Sequence, residues 1–461
     1  MTRILQLALM QCMALGALTA PAVVAVSLLV RRMVGAEAAP DVYAVIDAAA
    51  ALTAMLAAPV FGLLADRTMS RLGRRRPWLI GGAIVGLAGS VAMAWAPDPL
   101  LLAGAWMLTQ AGYNAVFAAV NGLLAEGLAP TDRTRAAGIF SATTFVGTVP
   151  GLLAASLLAG NVRVMLLVVP LLTLAVIVPL ALRVEDPPPE APLPPTARAS
   201  HHWLRRALSP EILTRPFLVL LAMRFVLALQ LSAGLTFALY LFLSRWSLGE
   251  TDAARATSLA TLVGAVGLVV GAALLTGRRW RGTRMAPLLG LSLALLAAAM
   301  LGRALAPSIP FFHLSTALAG LGIGVGLTAV RSLALALLPA ARAGYGLGLV
   351  AAAGNLAAMV APLAAAALLT VGEQWRPADP YAGMYVLLAL PALAALLLLP
   401  LLRGPEGGDL SAAGTGSASE DQSASPPRGS SNSPSLSIRR GIAEPGDGGN
   451  DPVPGSSAPG R

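Results

Sequence analysis

The chain has 461 residues, 56% of them hydrophobic and 12% charged, and a mean hydropathy of +0.74. Soluble chains carry about 25% charged residues, so most of this one has no solvated face and a soluble globular protein is excluded. The net charge of +10 comes from Arg alone, with no Lys anywhere. Those arginines sit mostly in short loops between apolar runs, the pattern of a membrane topology signal and not of a nucleic-acid surface.

Twelve apolar runs of about the length that crosses a bilayer follow in chain order. In the first half they cover residues 5–30, 42–65, 78–96, 100–125, 136–159 and 164–182. In the second they cover 217–243, 257–276, 285–301, 311–338, 346–371 and 381–402. The first run is too long for the apolar core of a signal peptide, so it is expected to be retained as the first span. Cys12 is the only cysteine, which excludes an intrachain disulfide. The expected fold class is an all-α polytopic membrane protein of twelve helices.

Residues 1–184 and 216–403 form two six-helix halves, joined by a Pro-rich linker at 185–215. The linker's His201-His202 pair has no further ligands around it in the sequence, so no metal site is expected. Residues 404–461 are rich in Gly, Ser and Pro and read as a disordered tail. With the N-terminus placed in the cytoplasm, nineteen arginines fall on the cytoplasmic side and seven, Arg303 among them, on the other. Both termini are therefore expected in the cytoplasm and the chain in the cytoplasmic (inner) membrane. The halves also match at an offset of 209 residues, Gly62 with Gly271, Gly73 with Gly282, Arg75 with Arg284, Pro130 with Pro339 and Arg133 with Arg342. Six helices is an even number, so the repeats run parallel.

The second loop carries Gly62-x-x-x-Asp66-Arg67, then Arg71-x-Gly73-Arg74-Arg75-Arg76-Pro77. A carboxylate where a span meets water can bond a helix N-terminus and favour its dipole. The five arginines could instead only anchor the loop to anionic lipid. In the fourth span Gln110, Asn114, Phe117 and Asn121 fall on one helical face, with Tyr113 beside them. Three amides and a ring on one face suit either a wet cavity or hydrogen bonds to a neighbouring helix. In the tenth span His313, Gly320, Gly324 and Arg331 share a face; Arg224 of the seventh lies at a similar depth. Both arginines could attract an anion or snorkel to the surface. Gln230 and Phe237 share a face of the seventh span, Gln11 is the polar residue of the first, and Asn355 of the eleventh is expected to pack. Asp47 and Glu126 are the candidate proton-coupling carboxylates.

Two parallel six-helix halves with this loop resemble the major facilitator superfamily. The run from Asp66 to Pro77 is similar to the loop of sucrose–proton symporters and of glycoside–pentoside–hexuronide cation symporters. The resemblance implies transmembrane transport by alternating access, with proton-coupled uptake of a sugar or glycoside. It also implies a latch of Gly62, Asp66, Arg67, Arg71, Gly73, Arg75 and Glu126. There Asp66 would bond the start of the eleventh helix near 344–348, and Arg67 or Arg71 would pair with Glu126. No acid precedes Pro59, so the sodium site of the glycoside symporters is not expected. Proton-antiport efflux of an amphipathic metabolite or drug, and a membrane receptor that does not transport, stay open. The expected cavity is lined by Gln11, Gln110, Tyr113, Asn114, Phe117, Asn121, Arg224, Gln230, Phe237 and Arg331. The expected partners are a small-molecule substrate and the lipid bilayer, with no obligate protein partner, no cofactor, no enzymatic activity and H+ as coupling ion. A Walker-type loop needs Lys, so an ATP-driven pump is excluded for this chain.

Overall fold

The computed structural model describes residues 2–126, 143, 146–186, 213–275, 285–338 and 343–402. The linker from 187 to 212, the tail from 403 and the first part of the fifth span, apart from residue 143, lie outside them, as do the His pair and the repeat matches at 130, 133, 282, 284, 339 and 342.

The first span is Thr2–Ala20, a π-helical turn at Pro21–Ala25, and the start of Val26–Arg67. Gly35, at φ 83°, divides that last helix into the end of the first span and the whole of the second. A side chain at that backbone angle would be strained, so Gly makes the reversal possible. Further spans are Arg76–Ala94, Pro99–Glu126, Val162–Arg183, Met285–Ala304, Ile309–Leu337, Ala343–Trp375 and Pro380–Leu397. Of the fifth span, Thr148–Leu157 is the described helix. The seventh is Arg215–Thr236 and Ala238–Arg245, broken at Phe237, and the eighth is Glu250–Leu274.

Short loops hold because helix starts are capped from within. Asp98 accepts from the Leu100 and Leu101 amides at 3.0 and 2.9 Å, Asn161 from Val164 at 3.2 Å, and Asp379 from Ala382 at 3.1 Å. Pro follows the cap or opens the first turn at Pro77, Pro216, Pro310 and Pro380, where the missing N–H is one the helix leaves unbonded.

Two expected boundaries move. The second and eighth spans begin about two turns before the apolar runs do, because Glu37, Asp41, Glu250 and Asp252 are accommodated in helical extensions. Asp47 therefore lies about three turns from the start of its helix. The third and ninth spans start at Arg76 and Met285, 209 residues apart, and the fourth and tenth at Pro99 and Ile309, 210 apart.

Lipid tails are as apolar as Leu, so these helices associate by close packing and not by burial from water. Small residues provide it. Gly82, Gly86 and Gly89 of the third span receive Gly112, Tyr113 and Thr109 of the fourth. Gly320 and Gly324 of the tenth lie on the carbonyls of Gly264 and Leu268 of the eighth. The outward surface carries large apolar side chains such as Leu100, Leu157 and Leu397, 82%, 73% and 80% exposed, as a lipid-facing surface should.

Candidate functional site

The loop motif folds back on its own half. Asp66 Oδ1 receives Arg75 Nη2 at 2.5 Å and stands 3.6 Å from Arg74 Nη2. The Arg75 guanidinium is buried against Gly122 of the fourth span, where a Cβ would collide with it. In this conformation Asp66 thus bonds arginines of its own loop, and no bond to 344–348 is found among the described residues. Arg67 and Arg71 are exposed and make no described ion pair, while the side chain of Glu126 lies outside the description. Gly62 has open space about it.

Asp186, just past the sixth span, was not foreseen. Its Oδ2 accepts from the Arg75 and Arg76 amides at 2.7 and 2.8 Å, at the start of the third span, where a carboxylate also favours the helix dipole. Arg76 adds donors to the Val184 carbonyl at 3.1 and 2.5 Å. Gly73 makes room for this clasp: its φ is 105° and a Cβ there would strike Asp186. Gly73→Ala is therefore expected to destabilise the first half by about 1–3 kcal/mol, lowering the thermal midpoint in detergent. Asp186→Asn should lower it less, because the amide keeps one acceptor oxygen.

On the fourth span, Gln110, Asn114 and Phe117 are half-buried and Asn121 is exposed. Asn114 Nδ2 donates to the Gln110 carbonyl at 2.8 Å and to Gln110 Oε1 at 3.4 Å. The two amides bond along their own helix and leave a polar strip half-open. Tyr113 does not join it: it is fully buried against Gly86 of the third span, 100° round the helix from Asn114. Gln11 is half-buried and its side chain is not free. Asp47 is half-buried near Trp106, which lies one turn before Gln110 on the fourth span and whose buried indole N–H makes no hydrogen bond among the described residues, with Tyr43 one turn away from Asp47 on its own helix.

In the second half the expected lining needs two corrections. Gln230 is 1% exposed and donates through Nε2 to the Leu388 carbonyl of the twelfth span, so it joins helices instead of lining a cavity. Phe237 is fully buried, in an aromatic cluster with Tyr43 and Tyr240 at 6.3 and 6.1 Å between ring centres. The break that places it there frees backbone carbonyls. That of Gly234 accepts from Arg303 Nη1 at 2.8 Å and the Tyr385 hydroxyl at 3.1 Å. Arg303, expected in an outer loop, is 2% exposed and stacked near Phe312 and Tyr385 at 5.7 and 5.8 Å. An Arg in the last turn of a span looks like a loop charge in sequence; nothing there reveals that the turn is folded inward. His313 bonds the Ala256 carbonyl at 3.0 Å, and Gly320 and Gly324 pack on the eighth span, so that stripe is a helix contact. Arg331, further along it, is exposed, and so is Asn355. Arg224 is half-buried, its guanidinium seated on Gly354 of the eleventh span.

The halves are tied at the end that carries Gly35. The Tyr240 hydroxyl donates to the Ser27 carbonyl at 2.9 Å, Tyr43 stacks edge-on against Tyr240 and Phe237, and Arg32 pairs with Glu250 at 2.6 Å. Tyr43 is itself fixed by donating to the Ala22 carbonyl of the π turn at 3.2 Å. The Tyr240–Ser27 hydrogen bond and the Arg32–Glu250 pair, which join the two halves, both lie at this end. Below it sit Asp47, Trp106 and the Gln110–Asn114 strip.

Solved transporters share this fold. A bacterial homolog of the human lysosomal transporter Spinster, described as inward-facing and unoccupied, superposes with a TM-score of 0.65 at 16% identity over 87% of this chain and 95% of that one. The nucleoside transporter NupG gives 0.68 at 11% over 87% and 100%, and a D-xylose–proton symporter 0.62 at 16% over 86% and 96%. At such identities the likeness shows the fold. A general alpha-glucoside permease of Schizosaccharomyces pombe (strain 972 / ATCC 24843) is 45% identical over 47 residues, 10% of this chain and 8% of that protein's length. Residues 7–302 match the Major Facilitator Superfamily, well over half of the chain, and the protein belongs to that family of membrane transporters.

Proposed function

We propose that this transporter takes up a sugar or glycoside together with a proton, by alternating access across the cytoplasmic membrane, with both termini in the cytoplasm. The placing of Asp47 carries the proposal. It is a carboxylate within the second span, about three turns from the start of its helix, one turn from the aromatic plug that ties the halves and near the tryptophan that precedes the amide strip. Acids at such depth are costly and mark ion pathways. A proton on Asp47 removes a charge between the plug and the strip, which is where coupling needs one to change. Hydroxyls of a sugar find donors and acceptors on Gln110, Asn114 and Asn121. The substrates for which the D-xylose–proton symporter and the alpha-glucoside permease are named agree with this class.

In this reading the closed end is the outer one and the structure is inward-facing. The Asp66–Arg75 pair is then the released form of the latch, which would re-form toward the eleventh helix when the cytoplasmic side closes.

Proteoliposomes loaded with the full chain test the proposal against labelled disaccharides and glycosides. Asp47→Asn is expected to lose at least tenfold in accumulation driven by a proton gradient while retaining exchange of labelled for unlabelled solute. Unchanged accumulation by this variant contradicts its coupling role. Solute expelled against its gradient by inward proton flow makes the protein an efflux antiporter, and binding without flux makes it a receptor.

A further inference from the structure

Among the described residues, one cation of the second half has no acid to balance it. Residues 216–403 contain four acids, Glu250, Asp252, Glu373 and Asp379, in two groups at 250–252 and 373–379. All four sit at the closed end, where Glu250 pairs with Arg32, Asp252 with Arg255 and Asp379 with Arg245. Arg224 is far from all of them. It lies nine residues into Arg215–Thr236, about 14 Å along the helix from the opposite end. Among the described residues no hydrogen bond or ion pair engages its side chain, although it is half-buried.

Its direction decides between a use and a nuisance. A snorkelling arginine reaches toward the nearer water. Here the guanidinium rests on Gly354, eleven residues into Ala343–Trp375, a helix that starts from the same face. That contact is about 16 Å from the helix start, no shallower than the Arg224 backbone itself. The guanidinium is held level instead of escaping. Gly354 permits this, since a Cβ there would occupy the place of both terminal nitrogens. Asn355, the next residue, is exposed and makes no described hydrogen bond. Leu227, one turn on from Arg224, touches Gly326 of the tenth span, so this side of the seventh span is built into the helix packing of its half.

We propose that Arg224 receives an anionic group of the transported solute, a carboxylate or a phosphate, while the amide strip of the first half takes its hydroxyls. A guanidinium offers a planar fork of donors that matches either anion in two parallel bonds. An uncompensated charge in a span is retained at a cost that a ligand of opposite charge recovers. The inference rests on the transporter reading above and narrows its substrate class to an acidic, hydroxylated solute.

The test is equilibrium binding to the purified full chain with matched probes: D-gluconate and D-glucose 6-phosphate against D-glucose, and lactate against propane-1,2-diol. The anionic member of a pair is expected to bind at least tenfold more tightly than the neutral one. Gluconate and glucose 6-phosphate tell carboxylate from phosphate. Arg224→Gln should remove the preference, and Arg224→Lys, which keeps the charge but loses the fork, should retain part of it. Gly354→Ala, which evicts the guanidinium without changing any charge, should weaken the anion and spare the neutral partner; it is a second route should Arg224→Gln fail to fold. Equal binding of charged and neutral probes, no binding of any anionic probe, or a preference that survives Arg224→Gln overturns the inference. A neutral glycoside carried with unchanged affinity by Arg224→Gln overturns it and leaves the sugar-transport reading standing. Lactate bound through Arg224 with no sugar probe bound supports it and defeats the sugar reading.

Discussion

Linking the halves at the closed end is expected to stop transport. With Arg32→Cys and Glu250→Cys in a Cys12→Ser background, a short bismaleimide should reduce flux at least tenfold, and a cleavable linker should restore it on reduction. The native pair is half-exposed, with N···O at 2.6 Å, and such pairs contribute about 0–1 kcal/mol. Its loss alone should therefore have little effect on flux. A covalent tether is different, because separation of residues 32 and 250 is what opening at this end means. The rest of the contact, Tyr240 to Ser27 and the stack of Tyr43, Phe237 and Tyr240, is buried and broken by the same movement. Full flux with the link in place would show that the halves do not part here.

The second large effect concerns assembly of the second half. Gly320→Ala and Gly324→Ala each place a methyl group on a backbone carbonyl of the eighth span, those of Gly264 and Leu268. A side chain can swing aside, but a helix backbone must move as a body. Each substitution is expected to destabilise by about 1–3 kcal/mol. The double variant should largely vanish from the monodisperse peak on size exclusion in detergent. Gly104→Ala, with no atom near its would-be Cβ, should stay within about 0.5 kcal/mol of the parent. A stable double variant would mean that the eighth and tenth spans pack less closely than described.

Much of the fold was legible because a bilayer allows few solutions. Apolar runs about 20 residues long can only be helices, and caps such as Asp98, Asn161 and Asp379 mark their starts. The helical period also grouped Gln110 with Asn114 correctly. It could not tell which neighbour covers a given face, since lipid and protein are equally apolar. Tyr113 and Gln230 therefore looked like cavity residues, although one packs on Gly86 and the other bonds Leu388. Sequence separation hid the rest. Asp186 clasps residues 75 and 76, and Arg303 reaches Gly234, 69 positions away. Arg224 was visible as a charge in a span, but its isolation from every acid of its half needed the helices to be placed.

Symport moves a proton and a solute together. The most direct measurement is of external pH around de-energised proteoliposomes holding the full chain, when glycosides and hydroxylated acids are added outside in a weak buffer. Symport predicts alkalinisation that begins with the addition, requires the solute to enter, and disappears in Asp47→Asn. Solute entry with no pH change, or with acidification, would contradict it.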